Sequence, residues 1–399
     1  MTKLKILIVT PNYPFPENKD GVNKIIVNLI AENRYYKADV LCINGNEFHN
    51  ETPPKGQKIT SINHTQKKLS FVSFIYRWLF LELPFSVTKY YADLPLLAKI
   101  IEEKSKQYNV IHLATPALAL LSKYLSHETI KKCILFPIDS ISLFWERRYK
   151  YEFNLLKKPI YNYELLKAIK FEKKNYSAYK CIVFVSPIDV KQCRSLSIPN
   201  TTIEAIPNGV DIDYFYFSKK EPENFSMVFT GNLDYAPNKD AAFFLVNDIM
   251  PEILKIIPQA KIYLVGGGVS EKLYKFHDGK HIIITGFVDD LRVYLEKAQL
   301  YVSPLRFGSG IKNKILEALS MGKIVVGSKV SFEGIEVQHG NNCFLANIDS
   351  GKKFATSIVH IMLNNIDNNI QYNAHELVKM KYSWEAIRKL YGKLYSTYE

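Results

Sequence analysis

Residues 303–328 read SPLRFGSGIKNKILEALSMGKIVVGS, a pattern typical of a strand, a glycine turn, a helix, a short turn and a second strand. The turn Gly308-Ser309-Gly310 lets the backbone approach a ligand closely, because glycine lacks a Cβ. The helix that follows offers its free N–H groups and its dipole to an anion. The stretch therefore predicts an anion site where a strand of an α/β sheet meets a helix.

Two lysines in the first turn of this helix support that prediction. Lys312 and Lys314 stand where the helix dipole alone disfavours positive charge, so a diphosphate bound there explains them. Glu317, one turn after Lys314, shares its helix face, and its natural partner is a pair of hydroxyls such as those of a ribose. The alternative is a surface helix with a solvated Lys/Glu face.

The same alternation of strand and helix fills the rest of the chain. Near the start, LKILIV (4–9), a helical pattern and ADVLCI (38–43) form a βαβ unit. After the polar segments at 198–211 the pattern restarts at MVFTGN (227–232) and continues through AKIYLVGGG and HIIITGF. Two such arrays predict two facing Rossmann-like domains with ligands at the carboxyl ends of the strands. We predict domains at 1–208 and 209–380, and a helix within 381–399 that crosses back onto the first domain.

Composition narrows the class of protein. Hydrophobic residues make up 47% and charged residues 23% of the 399 positions, as in an ordinary globular chain. The five cysteines are scattered without a zinc or redox spacing, which favours free thiols in a reducing compartment. We find no signal peptide and no apolar run of spanning length, so we expect a cytoplasmic protein.

The net charge of +13 favours anionic partners. Nucleic acid is one candidate, but the basic residues are dispersed and no recognition motif is present, so we expect no nucleic acid. Phosphorylated ligands and an anionic membrane surface remain as candidate partners.

Four segments together carry a family resemblance: GSGIKNKILEALSMGKIVV, FTGNLDYAPNKDAA, TGFVDDLRVYLEKAQLYVSPL and AIPNGVDIDYF. They resemble glycosyltransferase family 4, and most closely its bacterial exopolysaccharide-type sugar transferases. The resemblance is strong over 180–345 and weaker over 1–179. It implies the GT-B fold and retaining transfer of a sugar from a nucleotide diphosphate sugar to a glycan or lipid-linked acceptor in surface polysaccharide synthesis, without a metal or cofactor.

The resemblance places the second Glu of the family's paired-Glu motif, which binds the donor ribose, at Glu317. The first Glu, which usually contacts the transferred sugar, falls on Ser309, so this sequence departs from the pattern and leaves the sugar open. The backbone amides of Ser309, Gly310 and Ile311 remain as candidates for holding the sugar or the β-phosphate.

A second departure lies after the first strand of the C-terminal domain. Family members often carry Arg after the glycine at Gly231, but here Asn232 stands there, and Lys239 is the nearest cation to the expected Lys. We therefore expect Lys314 and Lys239 to share the diphosphate. Phe287 and Val288 match the stretch whose backbone contacts the base.

In the N-terminal domain, Gly21 and Val22 match the glycine loop that opens the first helix. The resemblance also suggests His112 as a contact of the donor sugar; the alternative is a histidine satisfied by its neighbours. Asp139 is the best acidic candidate near an acceptor hydroxyl, or else it caps the next helix. Glu333 matches the loop that closes over the sugar.

The reaction needs a stabilised leaving diphosphate, which the lysines and the helix N-terminus supply electrostatically. We expect no metal, and we interpret Asp211 and Asp213, which resemble a metal motif, as capping residues. The missing first Glu fits a front-face route in which the leaving phosphate takes the acceptor proton. Two rivals remain: a nucleotide-sugar 2-epimerase, whose loop chemistry matches less well, and a non-catalytic nucleotide-sugar-binding protein.

Residues 67–91 are dense in aromatics and flanked by cations. They fit a helix in the membrane interface, with Trp78 inserted and Lys67, Lys68 and Arg77 near lipid phosphates, peripheral on the inner face of the cytoplasmic membrane. The alternative is a helix packed on the core of the first domain.

Overall fold

The computed structural model describes residues 3–15, 21–44, 59–61, 75–78, 83–88, 94–152, 154–308, 310–364 and 369–398. The chain divides into two compact units. The first contains residues 1–207 and 387–399, and the second contains residues 208–386. In the described part, no helix combines the length and the apolar character that a bilayer crossing needs.

The first unit is built on a parallel sheet of seven strands in the order β3-β2-β1-β4-β5-β6-β7. Its strands are β1 (Leu4–Asn12), β2 (Tyr36–Asn44), β3 (Ile59–Ser61), β4 (Val110–Ala114), β5 (Cys133–Ile138), β6 (Cys181–Phe184) and β7 (Thr202–Ala205). The central strands are apolar almost without interruption because helices cover both faces of such a sheet.

The helices of this unit fill the connections between the strands. They are α1 (Gly21–Ile30), α2 (Phe85–Thr88), α3 (Leu94–Ser105), a 3₁₀ helix (Pro116–Lys123), α4 (His127–Lys131), α5 (Ile141–Tyr151), α6 (Lys158–Tyr176) and α7 (Pro187–Ser195). Serine hydroxyls cap α5 and α7: Ser140 accepts from the N–H of Leu143, and Ser186 accepts from that of Ile188.

The second unit repeats the design with six parallel strands in the order β10-β9-β8-β11-β12-β13. The strands are β8 (Glu223–Thr230), β9 (Lys261–Val265), β10 (Ile282–Gly286), β11 (Ala298–Ser303), β12 (Ile324–Gly327) and β13 (Phe344–Leu345). The predicted fold class, two Rossmann-like arrays, is confirmed.

The helices that precede the last one in this unit are α8 (Ala236–Phe244), α9 (Met250–Leu254), α10 (Glu271–Tyr274), α11 (Arg292–Lys297), α12 (Asn313–Ser320), α13 (Gly351–Leu363) and α14 (Asn369–Lys381). A π-helical turn, Leu245–Ile249, joins α8 to α9. The amphipathic helix α12 buries Ile315, Leu316 and Leu319 in the core, which fixes the direction of its opposite face.

The last helix, α15 (Trp384–Ser396), begins in the second unit, and its residues from 387 onward belong to the first. Tyr395 packs edge-on against Tyr36 with ring centroids 5.0 Å apart. Gly392 allows a close approach, because a Cβ there would lie 2.7 Å from the Cβ of Tyr35. The helix thus completes the core of the first unit.

Candidate functional site

Two glycines allow the chain to pack closely at the carboxyl ends of β8 and β9. Gly231, directly after β8, has φ +139°, and a Cβ on it would lie 2.7 Å from Nδ2 of Asn238. A Cβ on Gly266, directly after β9, would lie 2.0 Å from the carbonyl oxygen of Gly231. No side chain fits at either position without a shift, so backbone lines this edge of the sheet, where α/β folds bind ligands.

Lys314 brings an ammonium group to the same place. Its Nζ donates to the carbonyl of Thr230 (3.0 Å) and to Oδ1 of Asn238 (2.8 Å), and lies 3.9 Å from the ring centroid of Phe229. A Cβ on Gly231 would lie 3.5 Å from this Nζ, so the ammonium lies beside the glycine turn after β8.

The surroundings of Lys314 change its acidity. Although the residue as a whole is only partly buried, its amine is directed inward. Loss of water around the amine lowers the pKa of Lys314, Glu317 opposes this shift, and the charge of Lys312 adds to it, so that the net pKa is about 7. An incoming anion would favour the charged form.

The N-terminus of α12 has the features of an anion site. The side chain of the N-cap residue, Lys312, does not cap the helix. The N–H of Ile315 donates to the carbonyl of Lys312 (2.9 Å), and the N–H groups of Asn313 and Lys314 are the backbone donors that this helix end can offer to an anion.

The turn before α12 uses Gly308 (φ +147°) and Gly310 (φ +65°), conformations that L side chains rarely adopt. Ser309, between them, lies outside the described residues, whereas Ile311 is buried in the core.

Lys312 and Glu333 are brought together by the structure. Nζ of Lys312 donates to the carbonyl of Gly310 (2.8 Å) and lies 3.4 Å from Oε2 of Glu333. The lysine side chain is buried. These contacts hold the glycine turn against the loop that carries residue 333, so Lys312 anchors the turn that was predicted to bind the donor.

Glu317 lies on α12, close enough to Lys314 that its charge raises that pKa. It is partly buried. The prediction that Lys314 and Glu317 share a helix face agrees with this interaction.

The remaining predicted donor contacts are more exposed. Asn232 uses its Oδ1 to accept from the N–H of Asp234 (3.0 Å). The ammonium of Lys239 lies 3.1 Å from Oδ1 of Asp234, so this lysine already has a carboxylate partner. Phe287 is 79% exposed, while Val288 packs on the core.

Sequence reasoning missed Asn238. Only 9% of this residue is exposed, and its amide donates to the carbonyl of Asn232 (2.9 Å) while accepting from Lys314. The amide thereby ties the glycine turn after β8 to α12. A polar residue a few positions after the strand, at the start of a helical pattern, was the available signal.

The assignment of His112 to the donor sugar is wrong. The ring is fully buried, its Nδ1 lies 2.8 Å from the hydroxyl of Tyr395, and Phe136 and Tyr391 pack around it. Burial lowers the pKa of His112 to about 3, so the ring is neutral at pH 7. The alternative applies: His112 is a core residue that receives α15.

Asp139 directly follows β5 and does not cap α5, because Ser140 does. The residue before it, Ile138, has φ +78°, which is strained for a β-branched side chain. A second carboxyl group lies close by: Asp189 is buried, and its Oδ1 accepts from the N–H of Ser140 (2.8 Å). Burial and the charge of Asp139 raise the pKa of Asp189 to about 7.

At the start of the chain, α1 begins at Gly21, and Val22 is partly buried. Asp211 acts as the predicted cap, since its Oδ1 accepts from the N–H groups of Asp213 (3.0 Å) and Tyr214 (2.9 Å). Within the described ranges, no group of three or more His, Cys, Asp or Glu side chains could hold a metal ion.

The predicted insertion of Trp78 into lipid is contradicted. Its indole N–H donates to Glu164, its ring lies edge-on to Tyr163, and the ammonium of Lys167 lies 4.3 Å from its ring centroid. Trp78 therefore packs on α6, as the alternative stated. Arg77 is partly buried, and Lys67 and Lys68 lie outside the described residues.

Comparison with known proteins identifies the second unit. Residues 224–364 match the family model "Glycosyl transferases group 1". This segment is similar to group 1 glycosyltransferases. It includes β8 from its second residue onward and contains Gly231, Lys314 and Glu317.

Other relatives match nearly the whole chain. A Klebsiella pneumoniae protein described as "Uncharacterized 44.6 kDa protein in cps region" is 23% identical over 391 residues, which cover 95% of this chain and 96% of that protein. Among solved structures, Anabaena HepE in complex with UDP and glucose is 15% identical, with a TM-score of 0.66, and covers 99% of this chain and 100% of its own.

Two further structures share the architecture. Sucrose-phosphate synthase from Thermosynechococcus elongatus is 17% identical with a TM-score of 0.69, covering 99% of each chain. A variant of S. aureus TarM, in complex with fondaparinux, alpha-GlcNAc-glycerol and UDP, is 13% identical with a TM-score of 0.67 and covers 98% of this chain and 99% of its own. The chain has the GT-B fold and is a glycosyltransferase.

Proposed function

We propose that this glycosyltransferase is a retaining, metal-independent enzyme of family 4 that transfers a sugar from a nucleotide diphosphate sugar to a glycan or lipid-linked acceptor in surface polysaccharide synthesis. The observation that carries the proposal is the position of Lys314: its ammonium lies beside the glycine turn that follows β8, at the carboxyl ends of the strands. The uncapped N-terminus of α12 belongs to the same helix.

These groups supply what a leaving diphosphate needs. Thr230 and Asn238 engage two of the three N–H groups of the Lys314 ammonium, and a phosphate oxygen takes the third. The helix N-terminus adds backbone donors and a positive dipole. Fixed positive groups stabilise the charge that develops on the departing phosphate, so transfer proceeds without a divalent cation.

Glu317 binds the ribose of the donor. A carboxylate accepts from two vicinal hydroxyls, and Glu317 stands one helical turn beyond Lys314. This spacing places the carboxylate that binds the ribose hydroxyls and the ammonium that binds the phosphates one turn apart on the same helix.

We propose a front-face reaction. The bond between the anomeric carbon and the diphosphate oxygen breaks, the acceptor oxygen bonds to the same face, and its proton passes to the leaving phosphate. The absence of a Glu at Ser309 supports this route, because no carboxylate stands at the family's usual position. Asp139 orients the acceptor hydroxyl from the end of β5.

The acceptor class follows from the relatives. One relative lies in a cps region, and one similar structure holds glycan ligands with UDP, which favours a glycan or lipid-linked acceptor. We place the enzyme in the cytoplasm, peripheral to the inner face of the membrane. Its five cysteines are unpaired and buried, as a reducing compartment favours.

Donor binding is tested first with a panel of UDP-, GDP- and dTDP-sugars, because a ligand that binds the native state raises the melting temperature. Release of nucleoside diphosphate is then measured with candidate acceptors, with and without EDTA. Lys314→Ala should reduce transfer more than about tenfold, which is about 1.4 kcal/mol of barrier. Transfer that survives the substitution, or that EDTA abolishes, contradicts the proposal.

A second candidate is a nucleotide-sugar-binding protein without catalysis. Asn232 favours it, since the residue is exposed and carries no charge where the family often has Arg. A melting shift with a donor, but no nucleoside diphosphate release with any acceptor, would favour this candidate.

A further inference from the structure

An apolar stripe faces solvent on α6 and on the turn before it. Leu155 is 79% exposed, Leu156 85%, Ile160 51% and Leu166 57%, and Tyr163 lies between the last two. Positions 156, 160, 163 and 166 follow helical spacing and so share one side. Single exposed apolar residues are ordinary, but a contiguous set marks an interaction site. We refer to these five residues as the α6 stripe.

Two residues on the same side of α6 as the stripe, Glu164 (four positions after Ile160) and Lys167 (four positions after Tyr163), are fixed to the first unit. Glu164 and Lys167 form a buried ion pair with an N–O distance of 2.6 Å. Nζ of Lys167 donates to the carbonyls of Trp78 and Leu83, and Glu164 accepts from the N–H of Phe85 (2.9 Å). A buried, fully engaged ion pair resists separation. The helix therefore cannot roll to hide its apolar side.

Cations surround the stripe. In the described part of 141–176, the exposed ionisable side chains are mostly basic: Arg148, Lys150, Lys157, Lys170, Lys173 and Lys174. Glu146 is the exposed acid there, because Glu164 and Glu172 are buried and Glu152 is partly buried. Exposed leucines flanked by lysines and arginines are the composition of helices that lie in a membrane interface.

We propose that the α6 stripe docks the first unit on an anionic lipid bilayer. Leu155 and Leu156 enter the boundary between headgroups and acyl chains, and Lys157 and its basic neighbours contact lipid phosphates. This site differs from the one expected at Trp78, whose ring is engaged with α6. The inference rests on the proposed function in one respect: docking on the membrane would bring the enzyme to a lipid-linked acceptor.

The positive charge around the α6 stripe favours an anionic lipid bilayer over a second copy of this chain as its partner. Two copies that paired through the stripe would bring the same set of cations together, because a twofold interface repeats each patch on both sides. Juxtaposed like charges disfavour such a complex. An anionic bilayer instead neutralises them.

The experiment uses the full chain and co-sedimentation with vesicles of phosphatidylcholine alone or with about 30% phosphatidylglycerol, the anionic component that the basic patch requires. Binding should require phosphatidylglycerol and should weaken as salt rises. The double variant Leu155→Glu/Leu156→Glu should lose at least about tenfold in affinity, because it removes apolar area and adds repulsion. Ile256→Glu/Leu363→Glu is the matched control, since these residues are 59% and 57% exposed in the second unit; it should bind as the wild type does.

Circular dichroism and melting temperature establish that both variants are folded. Equal binding by wild type and the Leu155→Glu/Leu156→Glu variant overturns the inference. So does a wild-type dimer, seen by sedimentation velocity, that this variant dissociates, since the stripe would then join two copies. Vesicle binding without transfer to any acceptor contradicts the proposed function and leaves docking intact, so the two failures are distinguishable.

Discussion

The side chains of Lys314 and Asn238 are joined by a hydrogen bond of 2.8 Å across 76 positions of sequence. The bond ties the glycine turn after β8 to the first turn of α12, and it holds the ammonium beside Phe229 and Thr230. The cation of the proposed donor site is therefore held by protein contacts without a ligand. The same enclosure depresses its basicity.

Donor affinity should consequently fall as pH rises above 7. The pKa of Lys314 is lowered to about 7 in the free protein, so at higher pH the amine must take up a proton when a diphosphate binds. The limiting slope is about tenfold in Kd per pH unit. Titration calorimetry with a nucleotide sugar between pH 6 and 9 measures it. In Lys314→Arg, whose guanidinium stays charged, the slope should be smaller; equal slopes would contradict the prediction.

Glu317→Gln should weaken donor binding through the ribose. Replacing the carboxylate removes charge-assisted hydrogen bonds worth about 1.5–3 kcal/mol. A nucleotide that lacks the ribose hydroxyls should bind wild type and variant about equally, since neither makes those bonds. Glu336→Gln is the control, because Glu336 pairs with Lys381 on the exposed surface of the same unit. An equal loss for both nucleotides would place the ribose elsewhere.

The stability of the first unit should depend on His112. Burial lowers its pKa from 6.5 to about 3, so the unfolded chain binds the proton first as pH falls. The contribution of the neutral His112 ring to the free energy of unfolding is complete above pH 6.5 and is lost as pH falls toward 3. Between pH 7 and pH 5 the free energy of unfolding should fall by about 2 kcal/mol. Urea unfolding at both pH values should show that loss in the wild type but not in His112→Phe, which keeps a ring and does not titrate. A parallel loss in the variant would assign it to other groups.

Asp189 should act with the opposite sign. Its pKa is raised from 3.8 to about 7, so the folded protein binds the proton more tightly, and stability falls as pH rises through this window. Asp189→Asn resembles the protonated acid and should avoid that decrease. The stability of Asp189→Asn relative to the wild type should increase from pH 4 to pH 7 and should stay constant above pH 7. Urea unfolding midpoints measure this difference. A relative stability that does not change with pH would contradict the prediction.

Local patterns were enough to predict the two sheets and the glycine turn before α12. Glycine turns and apolar runs depend on a few neighbouring residues, so the strands and the turns at Gly231 and Gly310 could be predicted from the sequence. The donor-binding roles of these residues stay predictions. The errors involved distant partners. His112 was assigned to a ligand because its partner Tyr395 lies 283 positions away, and Trp78 was assigned to lipid because Glu164 lies 86 positions away. No spacing rule reveals such pairs.

Lys312 illustrates another limit. Two lysines in one helical turn look alike in sequence, yet Lys314 contacts Thr230 and Asn238 after β8, and Lys312 turns onto Gly310 and Glu333. The difference depends on rotamers and on the loop at residue 333, which the sequence does not specify locally.

The membership of residues 387–399 in the first unit has a consequence for synthesis. Tyr391 and Tyr395 are synthesised after all of residues 208–386, so the earlier unit lacks its last helix throughout synthesis of the later one. During that time the pocket around Tyr36 and His112 stays open to chaperones or to other nascent chains. The first unit is completed when the end of the chain emerges, which departs from the usual order in which an N-terminal domain matures first.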